Sequence, residues 1–173
     1  MPPRNWPEYW AMGLIEQILV QGRDSRLFQE LVQRRGYTGA VNGGINFGLG
    51  NMLNYDGPML MTTSLIHDSD KPADSILAAI DGVIEDLRTR PVDAATLERA
   101  RIKARSSFYS YLEALGGFGR ADLLASFALF DDNPARINTL EAEFRKVTPE
   151  LVQKTAREYL RPELQAMAPP RQR

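Results

Sequence analysis

Residues 7–41 read PEYWAMGLIEQILVQGRDSRLFQELVQRRGYTGAV, and the way this stretch divides decides the fold. Trp10, Leu14, Ile15, Ile18 and Leu19 follow the i, i+4, i+8 stripe of an amphipathic helix, with Gly22 as its stop. Asp24 is placed to cap a second, short helix carrying Leu27, Phe28, Leu31 and Val32, which Gly36 closes. From Tyr37 the texture changes to YTGAVNGGINFGLG, rich in glycine, β-branched and aromatic residues. That composition predicts a strand which bends or bulges at its glycines. The four arginines and Tyr37 also raise the question of a phosphate-binding surface, which the rest of the chain must support or deny.

Downstream, NYDGP reads as a turn and PMLMTTSLIHD as a second strand, together forming a long antiparallel pair. The remainder is helical. KPADSILAAIDGVIEDLRTR sets Ile76, Leu77, Ile80, Val83, Ile84 and Leu87 on one face, away from Asp81, Glu85 and Arg88. Pro91 breaks this helix, and Asp93 caps a longer one with Leu97, Ala104, Phe108, Tyr111 and Leu115 inward, ending at Gly116–Gly117. Helices over about 118–130, 134–146 and 149–160 follow, the last with Thr148 as N-cap and Pro149 at its first position. The expected class is α+β, an antiparallel sheet covered on one face by helices. A lone hairpin is marginal in water, so so apolar a helical layer calls for three or more strands. Residues 1–173 are therefore expected to form a single domain that lacks a terminal strand and is a fragment of a longer two-domain protein; LQAM at 164–167 is one candidate strand.

The 173 residues carry a net charge of −1, which argues against a protein built mainly for nucleic acid, since counterion release needs a concentrated cationic face. There is no cysteine and one histidine, His67. Thiol catalysis, disulfides and zinc sites built from Cys or paired His are thereby removed. No apolar run approaches the ~20 residues of a membrane span, and MPPRNWPEYW has no signal-peptide core. Nothing fixes a compartment; for a bacterial protein both periplasm and cytoplasm stay open.

Each chemically suggestive motif has a plainer reading. Gly-Leu-Gly at 48–50 lacks the third glycine and following helix of a dinucleotide loop, so a turn or bulge is preferred. Asp131 and Asp132, like Asp68 and Asp70, could form an acid/base pair or metal site, but their loop context favours capping of the next helix. His67 has no Ser–Asp constellation beside it, and Ser106 and Ser107 lie inside a helix without a nucleophile elbow. Arg99, Arg101, Lys103 and Arg105 are dispersed by helical spacing into a solvated face.

The order of segments nonetheless resembles a domain of the insulinase/pitrilysin family of zinc metallopeptidases. Its opening, P-D-Y-x-A, a helix, I-L-x-x-G-x-x-S-R-L, a short helix, then a glycine and a strand, is similar to Pro7, Glu8, Tyr9, Ala11, Ile18, Leu19, Gly22, Ser25, Arg26, Leu27, Leu31 and Gly36. PVDAATLERARIKARSSFYSYLEAL and VTPELVQKTAREYLRPE resemble later helices of that domain, so the likeness runs over nearly the whole chain.

The resemblance implies homologous α+β domains closing as a clamshell around a peptide, with zinc held by H-x-x-E-H and a distal Glu in another domain. One histidine cannot supply that motif, so the likeness is to the C-terminal, non-zinc domain, with zinc expected in an upstream domain of the parent protein. It also implies an initial strand ahead of the proline-rich start. Active relatives carry an Arg after the leucine of the short helix and a Tyr seven residues later, both contacting substrate. Those positions are Val32 and Gly39 here. Arg34 stands about 200° round the helix from Val32, and Tyr37, two strand residues from Gly39, ~7 Å away on the same face. No catalytic, substrate-binding or metal-ligating residue is therefore assigned. The expected role is the substrate-chamber wall and domain interface of a metalloendopeptidase, not catalytic alone. Its expected partners are the upstream zinc domain, a homologous subunit in a homo- or heterodimer, and the assembly's peptide substrate. A non-catalytic scaffolding homologue and an unrelated peptide-binding α+β module are the alternatives.

Overall fold

The computed structural model describes residues 1–162. The fold is built around α1 (Pro7–Leu19), with Pro7 at its first turn, where a missing N–H costs nothing. The sequence predicts one apolar stripe, but α1 is buried almost all round: Ala11, Leu14 and Ile15 are fully enclosed, and Glu8 and Gln17 are buried too. It packs on α4 (Ala94–Asp131), α5 (Leu140–Lys146) and α6 (Pro149–Tyr159). Glu8 tolerates this because Lys154 of α6 donates to its carboxylate at 2.7 Å. At the other end, Lys103 of α4 donates to the carbonyls of Gln17 and Gln21 at 2.7 and 2.8 Å and to Asp24 at 3.0 Å. A cation there answers carbonyls left unpaired at the end of α1 and the negative pole of its dipole. Lys103 is thus an anchor, and the expected solvated face holds only for Arg99 and Arg105; Arg101 donates to the Val147 carbonyl at 2.7 Å.

The short helix is α2 (Arg26–Phe28), and it runs on as a π-helical turn over Gln29–Arg34. Asp24 does not cap it, being held by Lys103; Ser25 stands at the N-cap with no side-chain bond. The predicted long strand pair is shorter than expected, β1 (Asn42–Ile45) against β2 (Met61–Ser64), antiparallel, with Asn42 opposite Ser64 and Ile45 opposite Met61. Gly44 has φ +151°, a backbone that side-chain-bearing residues rarely adopt, and its bare Cα faces the Glu16 carboxylate of α1. Helices lie on one face: Ile45 of β1 is buried, whereas Thr62, Thr63 and Ser64 of β2 are exposed.

α3 (Ala73–Thr89) buries Ile76 and Leu87 and half-buries Leu77, Ile80, Val83 and Ile84, the predicted face. Asp93 caps α4 by accepting from Thr96 N at 2.8 Å, and Thr148 caps α6 by accepting from Leu151 N at 3.2 Å, as expected. Gly116–Gly117 does not end α4; the element continues to Asp131 through a left-handed break, with φ +67° and +95° at the two glycines. Across that break Tyr111 donates to Asp122 at 2.7 Å, and Asn54 donates to the same carboxylate at 3.1 Å. The predicted helix over 134–146 divides into a 3-10 turn (Pro134–Asn138) and α5. The expected strand at 164–167 and the inward side chain of Leu115 lie outside the described residues.

Candidate functional site

The junction from α2 to β1 is where the resemblance looks for substrate contacts. Leu27 and Leu31 anchor it in the core, at 1% and 0% exposure. The π turn then widens the helix: Arg35 N donates to Glu30 O at 3.1 Å and Tyr37 N to Leu31 O at 2.8 Å. Such inserted turns recur at functional sites because they re-aim the side chains that follow. Here the result is that one carboxylate serves two neighbours. Glu30 accepts from Arg34 at 2.6 Å and from Arg35 at 2.5 Å, and the Arg35 guanidinium also lies 5.8 Å from the Tyr37 ring centroid. The Arg35 hydrogen bond, with the charge of Arg34 behind it, holds the Glu30 carboxyl below its ordinary range. An ionised carboxylate clamped this way is a poor general base.

Val32 is half-buried and Gly39 is exposed. The expectation that Tyr37 and Gly39 share a strand face fails, because β1 begins only at Asn42. Residues 38–40 form an irregular connection, pinned where Thr38 Oγ donates to Ile66 O at 2.6 Å. The junction therefore offers guanidinium and phenol groups for recognition, without a nucleophile–base pair.

The other candidates resolve individually. His67 is half-buried, with Nδ1 2.9 Å from Asp68 O. Ser106 and Ser107 are exposed, and Gly48–Gly50 belongs to a turn, with Leu49 N donating to Asn46 O at 2.9 Å. The capping expectation for the aspartates is wrong. Asn133 caps the 3-10 turn, Asp132 takes a left-handed C-cap conformation, and Pro72 holds the N-cap of α3, which has no side-chain cap. Asp131 instead turns inward, to 1% exposure, and accepts from Arg4 at 2.8 and 3.0 Å and from Arg136 at 2.8 Å. Arg4 also donates to the carbonyls of Leu53 and Tyr55 at 3.0 and 3.1 Å. Nothing local marks this partnership, since Arg4 and Asp131 stand 127 positions apart.

Among the described residues no group of three or more His, Asp or Glu side chains is arranged to hold a metal ion, and no helix is long and apolar enough to cross a membrane. The sequence matches the family described as "Peptidase M16 inactive domain" over residues 1–103. The chain belongs to that family. As an inactive domain of the M16 peptidases, its α+β fold is shared with solved structures. It superposes on the inactive peptidase domain of a candidate zinc protease from Bordetella parapertussis with a TM-score of 0.74, at 21% identity, covering 94% of this chain and 83% of the other. A protease from Helicobacter pylori gives a TM-score of 0.71 at 17% identity, covering 93% of this chain but 36% of that one. A peptidase M16 inactive domain from Pseudomonas fluorescens gives 0.68 at 21% identity, over 90% and 34%. The M16 domain thus spans about a third of the Helicobacter and Pseudomonas chains. No curated protein matches the sequence.

Proposed function

We propose that this M16 domain is one wall of a substrate chamber in an insulinase-like zinc metalloendopeptidase, and that it performs no catalysis alone. The zinc site would lie in an upstream domain of a longer two-domain protein, and a homologous subunit would complete the chamber. The carrying observation is the exposed apolar side chains in the segments that flank the two strands. Leu60 is 75% exposed, Ile66 82% and Leu49 85%. Large exposed apolar side chains beside a sheet of only two strands suit a surface that another strand or domain covers. Membership of the M16 family sets aside the unrelated peptide-binding module.

The test is reconstitution. The 173-residue chain and a zinc domain carrying H-x-x-E-H, from upstream or from a neighbouring gene, are assayed apart and together on a quenched-fluorescence peptide. The expected outcome is hydrolysis by the mixture and none by this chain. Hydrolysis by this chain alone would refute the reading, as would a zinc domain that neither binds it nor gains activity from it. A second reading, a scaffolding homologue inactive even when assembled, is favoured by Val32 and Gly39 at the positions of the family's substrate-contacting Arg and Tyr. A stable complex with zinc bound but no turnover, in the presence of a subunit that has the Arg/Tyr pair, would select it.

A further inference from the structure

A groove of about 450 Å³ runs between the π turn and α3. Its floor is one face of α3, Ala78, Ala79, Gly82 and Val83, and its ends are charged. On the π-turn side stands the Arg34–Glu30–Arg35 cluster. On the other, Asp86 of α3 accepts from Arg26 at 2.7 Å and from Arg90 as well. Asp24, the third carboxylate of the lining, is already neutralised by Lys103 at 3.0 Å. Among the lining side chains four arginines therefore face two available carboxylates, with Asp93 also within Coulombic reach of Arg26, so positive charge predominates at the groove. Burial lowers the Arg26 pKa; the Asp93 charge opposes that shift more strongly than the Arg90 charge adds to it. Within the described residues each of the four guanidiniums uses a single nitrogen on its carboxylate. A guanidinium carries five N–H donors, so most of the fork that can grip a second carboxylate side-on is unused.

We infer that this groove binds an acidic peptide segment, two carboxylate side chains bridging the paired arginine clusters while the chain lies on the α3 floor. The occupant is a peptide and not a compact anion for two reasons. The cationic groups sit in two separate pairs at either side of the groove, and the floor between them is apolar and fits methylene stems. Neither Val32 nor Gly39 lines the groove, so it is separate from the positions where the family's Arg/Tyr pair would stand. The inference does not depend on the chamber reading, since it concerns direct binding to this chain with no zinc domain present.

The experiment is fluorescence anisotropy with the intact chain and a labelled Gly-Gly-Glu-Glu-Gly-Gly peptide, its Gln-Gln twin and inorganic phosphate as competitor. Arg35→Gln and Arg90→Gln each leave the partner carboxylate with its other arginine, so the fold survives; matching circular dichroism and thermal midpoints check this. The expected result is binding of the diglutamate peptide at least about tenfold tighter than its twin, weakened about tenfold by either substitution. Binding also weakens as salt rises from about 0.05 to 0.2 M, because exposed charges are screened. Equal affinity for the two peptides, indifference to both substitutions, or displacement by phosphate at concentrations as low as those of the unlabelled peptide would each overturn the inference.

Discussion

Among the carboxylates that each hold two arginines, Asp131 and Glu30 behave as opposites. Asp131, at the end of α4, is 1% exposed and draws Arg4 and Arg136 into the interior, tying the N-terminal segment to the helix end. Glu30, on the π turn, is 10% exposed, but Arg34 and Arg35 reach it from within five residues and stand 75% and 44% exposed themselves. The first cluster joins distant parts of the chain and is dry; the second is local and wet. Coulomb attraction is equally available to both. What differs is the cost of losing one partner, because buried charges left unpaired cannot turn to water, whereas surface charges can.

The comparison is broken most directly at Asp131. Asp131→Ala strands two guanidiniums, one of them 7% exposed, and is expected to destabilise the fold by about 3–5 kcal/mol. Urea denaturation measures it. A loss below about 1 kcal/mol would mean that the clamp is as wet as the Glu30 cluster and that the contrast is false. The Lys103 anchor should fall between the extremes. Lys103→Met keeps the stem's packing but returns the Gln17 and Gln21 carbonyls to poor alternatives, with an expected loss of about 1–3 kcal/mol by the same measurement.

The contrast also explains what could be read without coordinates. Caps at Asp93 and Thr148 and the apolar face of α3 depend on neighbours within a few positions, and each was legible. The capping role expected for Asp131 was wrong because its partner lies 127 residues away, and a loop-flanking aspartate looks the same whether it caps or turns inward. Lys103 was hidden for the same reason, its carbonyl partners being 82 and 86 positions off. At the candidate site Arg26, Arg34 and Arg35 were visible, but their sharing, with Arg90, between Glu30 and Asp86 was not. Asp86 is 60 residues from Arg26, and the π turn adds a residue that no helical spacing anticipates. The strand pair was over-extended because glycine, β-branched and aromatic composition marks a strand's presence but not its ends, and the pairing covers only Asn42–Ile45 and Met61–Ser64.

The smallest effect is the one expected at Glu30 itself, and its pH dependence sharpens the comparison. Glu30→Gln removes the charge but keeps an acceptor for the arginines, so the loss at neutral pH should stay within about 1 kcal/mol. The Arg35 hydrogen bond, followed by the Arg34 charge, lowers the folded-state pKa of Glu30 below the ordinary glutamate value. A depressed folded value means that the unfolded chain takes up the proton first as pH falls. The stabilisation from this pair is therefore complete above the ordinary glutamate pKa and disappears as pH drops through the depressed one. Denaturation midpoints of wild type and Glu30→Gln should differ slightly at pH 7 and converge in that acid window. Raising the salt concentration should shrink the pH 7 difference, because this cluster is screened by solvent ions as the Asp131 clamp is not. A gap that persists below the window, or that ignores salt, would place Glu30 with the dry cluster after all.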